Sequence, residues 1–560
     1  MARKMSLIAR LVLVCSLSSI MWNVPPATSA DSLRNTYVVT DSDNMGPGTL
    51  RQAILDSNAH LGTDTIVFAL EDTDDLYDET RDLYQIIAID GLPPLTDPNG
   101  VIIDATTQTE KFPDDEPEIW VVANGTPSLF SITSASRGNT IKGFHFQGSN
   151  TSTDVISIDG DLNTIEENSI LPSKFVGSHG VYLSSSASSN MIQYNYIFNS
   201  ALDGIYLDSS TENSILYNTI GIEPPWWHLS NPNLGNGITC YNCSNNLIKL
   251  NTISANQKNG IYMWGGNNNT IEQNFIGLND EGQDFGNVEF GILLDNNNTN
   301  NDIFENYISG NGKDGIRLQG SGTTGNHIEI NAVGFGFSGN YVPNGNHGIG
   351  IYNDAHGNYV GNLADPTRYN VIGGNTWSGV VVVNSTTGSN YILDNYILDN
   401  QFYGVHINNS PYNYIGYNTI SGNGKAGTYA GVRIEGAGSI QNPTTQNSIS
   451  NNTGLGIQLV GGNNNQTAPT IDTASCNLIY GYACPNCTVE IYSDNENEGV
   501  FYETTTTADS SGWFGVWLID PYMFAGPNLT AIAFNGSNSS QFSTPYVGAC
   551  QHFYLPMIMK

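Results

Sequence analysis

Asp314, Arg317 and His347 are the residues whose types and spacing come nearest to a reactive set. Asp314 and His347 each stand immediately before a recurring glycine, Gly315 and Gly348, so they should occupy like positions on neighbouring structural repeats. A carboxylate and an imidazole held together could transfer a proton, and Arg317 could orient an anionic substrate. Ordinary solvated turns explain the same residues without chemistry. A second set is aromatic: Tyr182, Tyr206 and Tyr262 share one position of the repeat and could offer a stacking platform to sugar rings, extended by Trp226 and Trp227 on an insertion between them. Tyrosine also suits any exposed β surface, and tryptophans can simply pin a loop. A third set is acidic. Asp280, Glu281, Asp284 and Glu289 supply hard oxygen ligands suited to calcium, and no other cofactor is indicated.

The elements that must position these residues are written in a two-part phrase that recurs from Asn139 to Leu459. It reads Asn-x-Ile-x-x-Asn-x-Ile and then, about ten residues on, Gly-Ile-x-Leu, as in Asn190–Ile197 with Gly204–Leu207. Asn195 to Asn218, Asn251 to Asn274 and Asn395 to Asn418 are each 23 residues apart. Apolar runs of three to five residues, alternation inside Gly-Ile-x-Leu and the absence of long helical patterns predict an all-β chain. The expected architecture is a right-handed parallel β-helix solenoid of about thirteen coils. Asparagine amides can donate and accept along the axis at the turns, and the glycines should permit tight corners. The x residue of each Gly-Ile-x-Leu phrase should point outward. That column includes Tyr182, Tyr206, Thr239, Tyr262, Leu293, Arg317, Gly350, Val381, His406, Arg433 and Gln458. Insertions at Pro224–Gly235, Asn279–Glu289 and Gly334–His347 interrupt the period and are natural places for a binding surface.

Lys and Arg total 18 against 52 Asp and Glu, a net charge of −34, which opposes binding to nucleic acid or an anionic membrane. Residues 1–30 read as an export signal: Arg3, Lys4 and Arg10 precede the apolar run Leu11–Leu17, and small residues lead up to Ala30. No later segment reads as a transmembrane helix, so the mature chain is expected to be secreted, with association to the cell surface open. Six cysteines follow the signal: Cys240, Cys243, Cys476, Cys484, Cys487 and Cys550. In an exported chain they are candidates for disulfides, with the pairing open.

Residues 31–138 lack the full repeat and read as an N-terminal cap with the first irregular coils. Thr49 should cap a short helix whose Leu50, Ile54 and Leu55 pack on one side. Residues 139–460 form the regular solenoid, 461–468 a polar linker, 469–546 a small β-sandwich and 547–560 a tail. The segments Leu50-Arg51-Gln52-Ala53-Ile54 and Thr63-Asp64-Thr65-Ile66-Val67-Phe68 resemble the opening coils of a family of secreted bacterial right-handed parallel β-helix proteins. Leu529–Ala533 with Ser540–Ser543 resembles the immunoglobulin-like domain often fused after such a helix, and Tyr554–Ile558 resembles a terminal phrase of exported proteins from Chloroflexi-type bacteria. The wider group holds pectate lyases, polygalacturonases, alginate epimerases, tailspike glycosidases and noncatalytic adhesins, and the resemblance implies fold and export more than activity. Scarce basic residues disfavour a pectate-lyase-like site, which must neutralise a uronate.

On this reading the chain binds an extracellular polysaccharide or cell-surface glycan, or mediates surface contact. The alternative is a polysaccharide lyase, epimerase or glycoside hydrolase acting in a groove along the helix. A second alternative is a structural surface protein.

Overall fold

A coil of the repeat holds three short strands because its apolar residues come in three short runs separated by turn residues. Met191–Gln193, Tyr196–Ile197 and Ile205–Asp208 make one such coil. The computed structural model describes residues 34–109, 116–124, 128–148, 154–172, 177–224, 231–362, 364–475, 478–496, 498–517 and 524–548. The chain is all-β: a right-handed, largely parallel β-helix solenoid followed by a smaller antiparallel sandwich. Its described residues fall into two units, one running to Leu294 with Gly310–Gly312 and Gly336–Asn340, the other holding the remainder from Asp295 onward.

In the first unit the three strands of each coil stack in register on the coil before. Ile192 pairs with Ile215, Ile197 with Ile220 and Ile205 with Ile238. All six side chains are fully buried and form internal columns. The helix α1, Leu50–Ala59, starts at Thr49, whose hydroxyl accepts the Gln52 N–H at 3.3 Å. Leu50, Ala53, Ile54 and Ser57 face inward. Leu55, expected on that face, is 46% exposed, because the five-residue step from Leu50 turns it about 140° away from the contact stripe.

The second unit repeats the pattern, with Ile392 on Ile415, Ile397 on Ile420 and Val405 on Val432. Its sandwich sets Thr470–Ala474, Leu478–Tyr482 and Trp513–Trp517 in one antiparallel sheet. The other sheet is built on Phe501–Thr507, Thr488–Asp494 and Asn528–Asn535. Ile479, Val489, Ile491, Phe514 and Leu529 belong to the core between them. Sandwich residues also cap the last solenoid coil. A Glu498 carboxylate oxygen accepts the Asn452 N–H at 3.1 Å, and the Tyr492 hydroxyl accepts the Gln446 N–H at 2.9 Å, where another coil's acceptors would otherwise stand.

The asparagines form the ladders that their chemistry suggests. The Asn195 N–H and Nδ2 both donate to Asn218 Oδ1, at 3.0 and 2.9 Å, and Nδ2 also reaches the Ile165 carbonyl at 2.9 Å. The glycines act differently from expectation. Gly204 does not take a left-handed φ; a Cβ there would lie 2.7 Å from both the Gly237 carbonyl oxygen and an Ile220 methyl, so the site requires close approach. The left-handed corners fall instead on the residue before many of the ladder asparagines, such as Tyr194 (φ 55°), Leu250 (φ 57°) and Asp394 (φ 54°). The neighbouring asparagine's four-way bonding holds these strained residues in place.

Candidate functional site

Asp314, Arg317 and His347 do come together, in the second unit. The His347 N–H donates to Asp314 Oδ1 at 3.1 Å, and an Arg317 guanidinium nitrogen lies 3.7 Å from Asp314 Oδ2. The contact runs through backbone, and it belongs to a series. His347 Nδ1 in turn accepts the Ser378 N–H at 3.2 Å. In the first unit Asp203 Oδ1 accepts the Asn236 N–H, and Asn236 Oδ1 accepts the Asn259 N–H. The position before the recurring glycine is therefore a second polar ladder, which explains Asp314 and His347 as coil-to-coil connectors. Burial pushes the His347 imidazole down to about 3, so its ring stays neutral and Nδ1 remains an acceptor.

Asp314 has no exposed surface, and burial raises its carboxyl to about 6, against the lowering effects of the His347 N–H and Arg317. The folded state thus binds the proton more tightly than the unfolded state, whose carboxyl titrates near 3.8. Stability should fall as pH rises from about 4 to about 6, by about 3 kcal/mol. Asp314→Asn keeps the acceptor oxygen and should flatten that part of the stability–pH curve, as measured by chemical denaturation across the window.

Of the expected aromatic platform, Tyr182 and Tyr206 stack on each other across adjacent coils, centroids 5.8 Å apart and planes within 10°. Each ring turns a face to the other, and the Tyr182 hydroxyl donates to an Asp208 carboxylate oxygen at 3.1 Å. Buried Thr239 stands in register between Tyr206 and Tyr262, so the three tyrosines are not contiguous. Trp226 and Trp227 lie outside the described residues, as do the export signal, Cys476, Cys550 and the final segment from 549. Cys240 pairs with Cys243 and Cys484 with Cys487. Asp280 and Glu281 are exposed on a tight turn closed by the Gly282 N–H donating to the Asn279 carbonyl at 3.0 Å; Asp284 returns from it, and Glu289 lies beyond. Among the described residues no group of three or more His, Cys, Asp or Glu side chains is placed to hold a metal ion.

The outward column holds a site that takes in His347 and Arg317 of the first set but is built mainly from residues outside all of them. Arg317, Gly350, Val381, His406, Arg433 and Gln458 follow one another in register on successive coils of the second unit. Gly350 carries no side chain and Val381 is only 2% exposed, so the column sinks at these two coils. A cleft of about 360 Å³ opens there, bordered by His347, Tyr352, Trp377, Phe402, Tyr403, His406 and Tyr429. Trp377, Phe402 and Tyr429 each stand two residues before a recurring glycine, on consecutive coils. They form a row with centroid spacings of 5.8 and 4.5 Å, and Trp377 at its end is 48% exposed.

Beside the row, His406 Nε2 lies 3.1 Å from Glu435 Oε2, and the same oxygen accepts from Arg433 Nε at 2.9 Å. Arg433 also donates to Gln458 Oε1 at 2.9 Å, and its guanidinium carbon lies 5.2 Å from the Tyr403 ring. The hydrogen bond from Arg433 holds Glu435 below the usual carboxylate value, and burial holds His406 below the usual imidazole value despite Glu435. A neutral His406 donating from Nε2 to Glu435 keeps Nδ1 as a free lone pair, the state required of a general base. At the other end of the cleft Arg317 lies 3.9 Å over the Tyr352 ring. A chain poor in basic residues thus places two arginines in one column flanking one cleft.

A family model described as periplasmic copper-binding protein (NosD) matches residues 114–282, and one described as right handed beta helix region matches residues 227–365. No curated protein matches the chain. Among solved structures, the A-module of mannuronan C-5 epimerase AlgE6 from Azotobacter vinelandii is 13% identical, with 74% of this chain and 99% of that chain covered and a TM-score of 0.43. The periplasmic alginate epimerase AlgG is 14% identical over 68% of this chain and 85% of its own, TM-score 0.39. The Dettilon tailspike protein is 12% identical over 92% and 90%, TM-score 0.38. Likeness at this level does not carry chemistry from one protein to another. Among the described residues no group of three or more His, Cys, Asp or Glu side chains fits the copper named in the first family's description.

Proposed function

We propose that this chain is a carbohydrate-active protein that holds an acidic polysaccharide in the cleft of its second unit and moves a proton on the bound sugar, as a lyase or epimerase does. One observation carries the reading: the row Trp377, Phe402, Tyr429 borders the same cleft as His406, which bonds to Glu435 and through it to Arg433 just outside the lining. The half-exposed indole of Trp377 can stack on a sugar ring. Removing a proton next to a carboxylate builds negative charge on that carboxylate, and Arg433 is placed to stabilise it. His406 Nδ1 takes the proton. Reprotonation on the opposite face would invert the carbon, whereas loss of the neighbouring glycosidic oxygen would cleave the chain. Glycoside hydrolysis is less favoured, since it needs two carboxylates about 5–9 Å apart and the side chains bordering this cleft include none. The leader pattern at residues 1–30 and the paired cysteines support a site of action outside the cytoplasmic membrane.

The test is a panel of alginate, polygalacturonate, a glucuronan and neutral dextran, followed for unsaturated ends and, by NMR, for inverted uronates. Change in an acidic member alone supports the reading. Retention without change would return the chain to glycan binding, and neither retention nor change would remove the reading. Trp377→Ala should weaken retention of the responding polysaccharide about tenfold, measured by affinity electrophoresis.

A further inference from the structure

Among the described residues two disulfides of the same size lie in opposite surroundings. Each joins cysteines three residues apart with Cα atoms separated by 5.4 Å. Cys240 and Cys243 are 0% and 1% exposed, with Cys240 inside the solenoid wall strand Ile238–Tyr241. At the second pair Cys487 is 1% exposed, but Cys484 is partly exposed and the intervening Pro485 and Asn486 are exposed. The turn is firmly held. The Cys487 N–H donates to the Cys484 carbonyl at 3.1 Å, the Ala483 N–H to Gly512 at 2.8 Å, and the Ala508 N–H to Cys487 at 2.8 Å. A side-chain amide also reaches the partly exposed cysteine: Gln466 Nε2 donates to Cys484 Sγ at 3.0 Å. One cysteine is therefore partly exposed, with a hydrogen bond to its sulfur, while its partner is shielded.

We propose that Cys484–Cys487 is a thiol–disulfide exchange site that takes a small-molecule thiol through Cys484. The incoming thiolate attacks Cys484 Sγ, the Cys484–Cys487 bond breaks, and its electron pair leaves on Cys487 Sγ, which takes up the proton that the thiol lost. A mixed disulfide on Cys484 results. A second thiol attacks the outer sulfur of that bond and releases Cys484 as a thiolate, which is then protonated. The sum is two thiols oxidised to one small disulfide and the protein disulfide reduced to a dithiol. Access selects which sulfur is attacked, and a donor at the departing sulfur favours the second step. The Gln466 amide is that donor. Reclosure is the reverse exchange, in which the small disulfide accepts the two electrons and is returned to two thiols; burial of Cys487 raises the cost of its thiolate and so favours the closed pair.

The buried pair is the internal control. Full-length protein is incubated with glutathione under native conditions, alkylated with iodoacetamide, and its cysteine peptides are read by mass spectrometry. The expected result is glutathione or alkyl groups at Cys484 and Cys487 while Cys240–Cys243 stays closed and the circular dichroism is unchanged. Cys487→Ser, treated with oxidised glutathione, should accumulate a stable adduct at Cys484. Gln466→Leu should slow release of the small thiol's mixed disulfide from Cys484 several-fold with no shift in Tm. The proposal is overturned if both pairs open at the same glutathione concentration, or if the second opens only as the fold is lost. Should Cys487→Ser fail to fold, the wild-type comparison of the two pairs decides alone.

Discussion

Replacing His406 with glutamine is expected to lower turnover of the responding polysaccharide roughly 10²–10⁴-fold, the usual contribution of a positioned general base, while retention changes little. Glutamine fills a similar volume and can still donate to Glu435, so the cleft and the Trp377–Phe402–Tyr429 row should persist. What disappears is the lone pair on Nδ1. The pH profile adds a second reading. Burial lowers the His406 pKa and Glu435 raises it back only in part, so the acid limb of the rate should fall below the ordinary imidazole value near 6.5. Glu435→Gln removes the group that favours the protonated ring and should move that limb lower still, with a weaker base and a smaller maximum rate. Wild-type turnover in His406→Gln would exclude His406 as the base, even if glycan retention were confirmed.

The largest structural effect is expected at Asn395. Its side chain is 1% exposed. Oδ1 accepts both the N–H and the Nδ2 of Asn370, at 3.3 and 2.9 Å, while Nδ2 donates to Val360, Leu393 and Asn418 at 2.8, 3.0 and 3.0 Å. Asn395→Ala strands two buried donors and two backbone carbonyls at once. At about 1–3 kcal/mol per unmatched buried group, partly relieved by relaxation, the loss should be roughly 3–5 kcal/mol. It also removes the support of Asp394, held at a φ of 54° just before it. The urea midpoint of the full chain measures it, with Thr376→Ala at an exposed site as the control, expected within about 0.5 kcal/mol. An Asn395→Ala midpoint equal to the control would mean that ladder bonds add nothing to stability beyond the packed Ile and Val columns.

Much of the architecture was legible because a repeat states the same physical requirement many times. Ile192 and Ile215, or Ile392 and Ile415, recur at one phase of the period because each must fill the same internal column. Asn395 and Asn418 recur because asparagine alone among neutral side chains offers both a short acceptor and a two-hydrogen donor to the coils on either side. The recurring glycines were legible as positions but not as causes. Their need is clearance for the next coil's carbonyl, a distance that exists only once coils are stacked.

The candidate site divides in the same way. Arg317, His406 and Arg433 could be placed on one outward column from spacing alone, and the adjacency of Asp314 to His347 was expected from the glycines that follow them. Spacing could not say that the second pair meets through backbone in a ladder, nor that Tyr182 and Tyr206 turn their faces to each other. The row of Trp377, Phe402 and Tyr429 left a readable signal, an aromatic two residues before the glycine on three consecutive coils, at a phase of the repeat outside the outward column. By itself the sequence determined the coil, its inward columns and its asparagine ladder, since these follow from periodicity and side-chain chemistry. Only the tertiary structure decided where the surface sinks. The cleft depends on Gly350 and Val381 falling next to large rings from other coils, and on Glu435 reaching both His406 and Arg433, relations in depth and distance that a one-dimensional period does not contain.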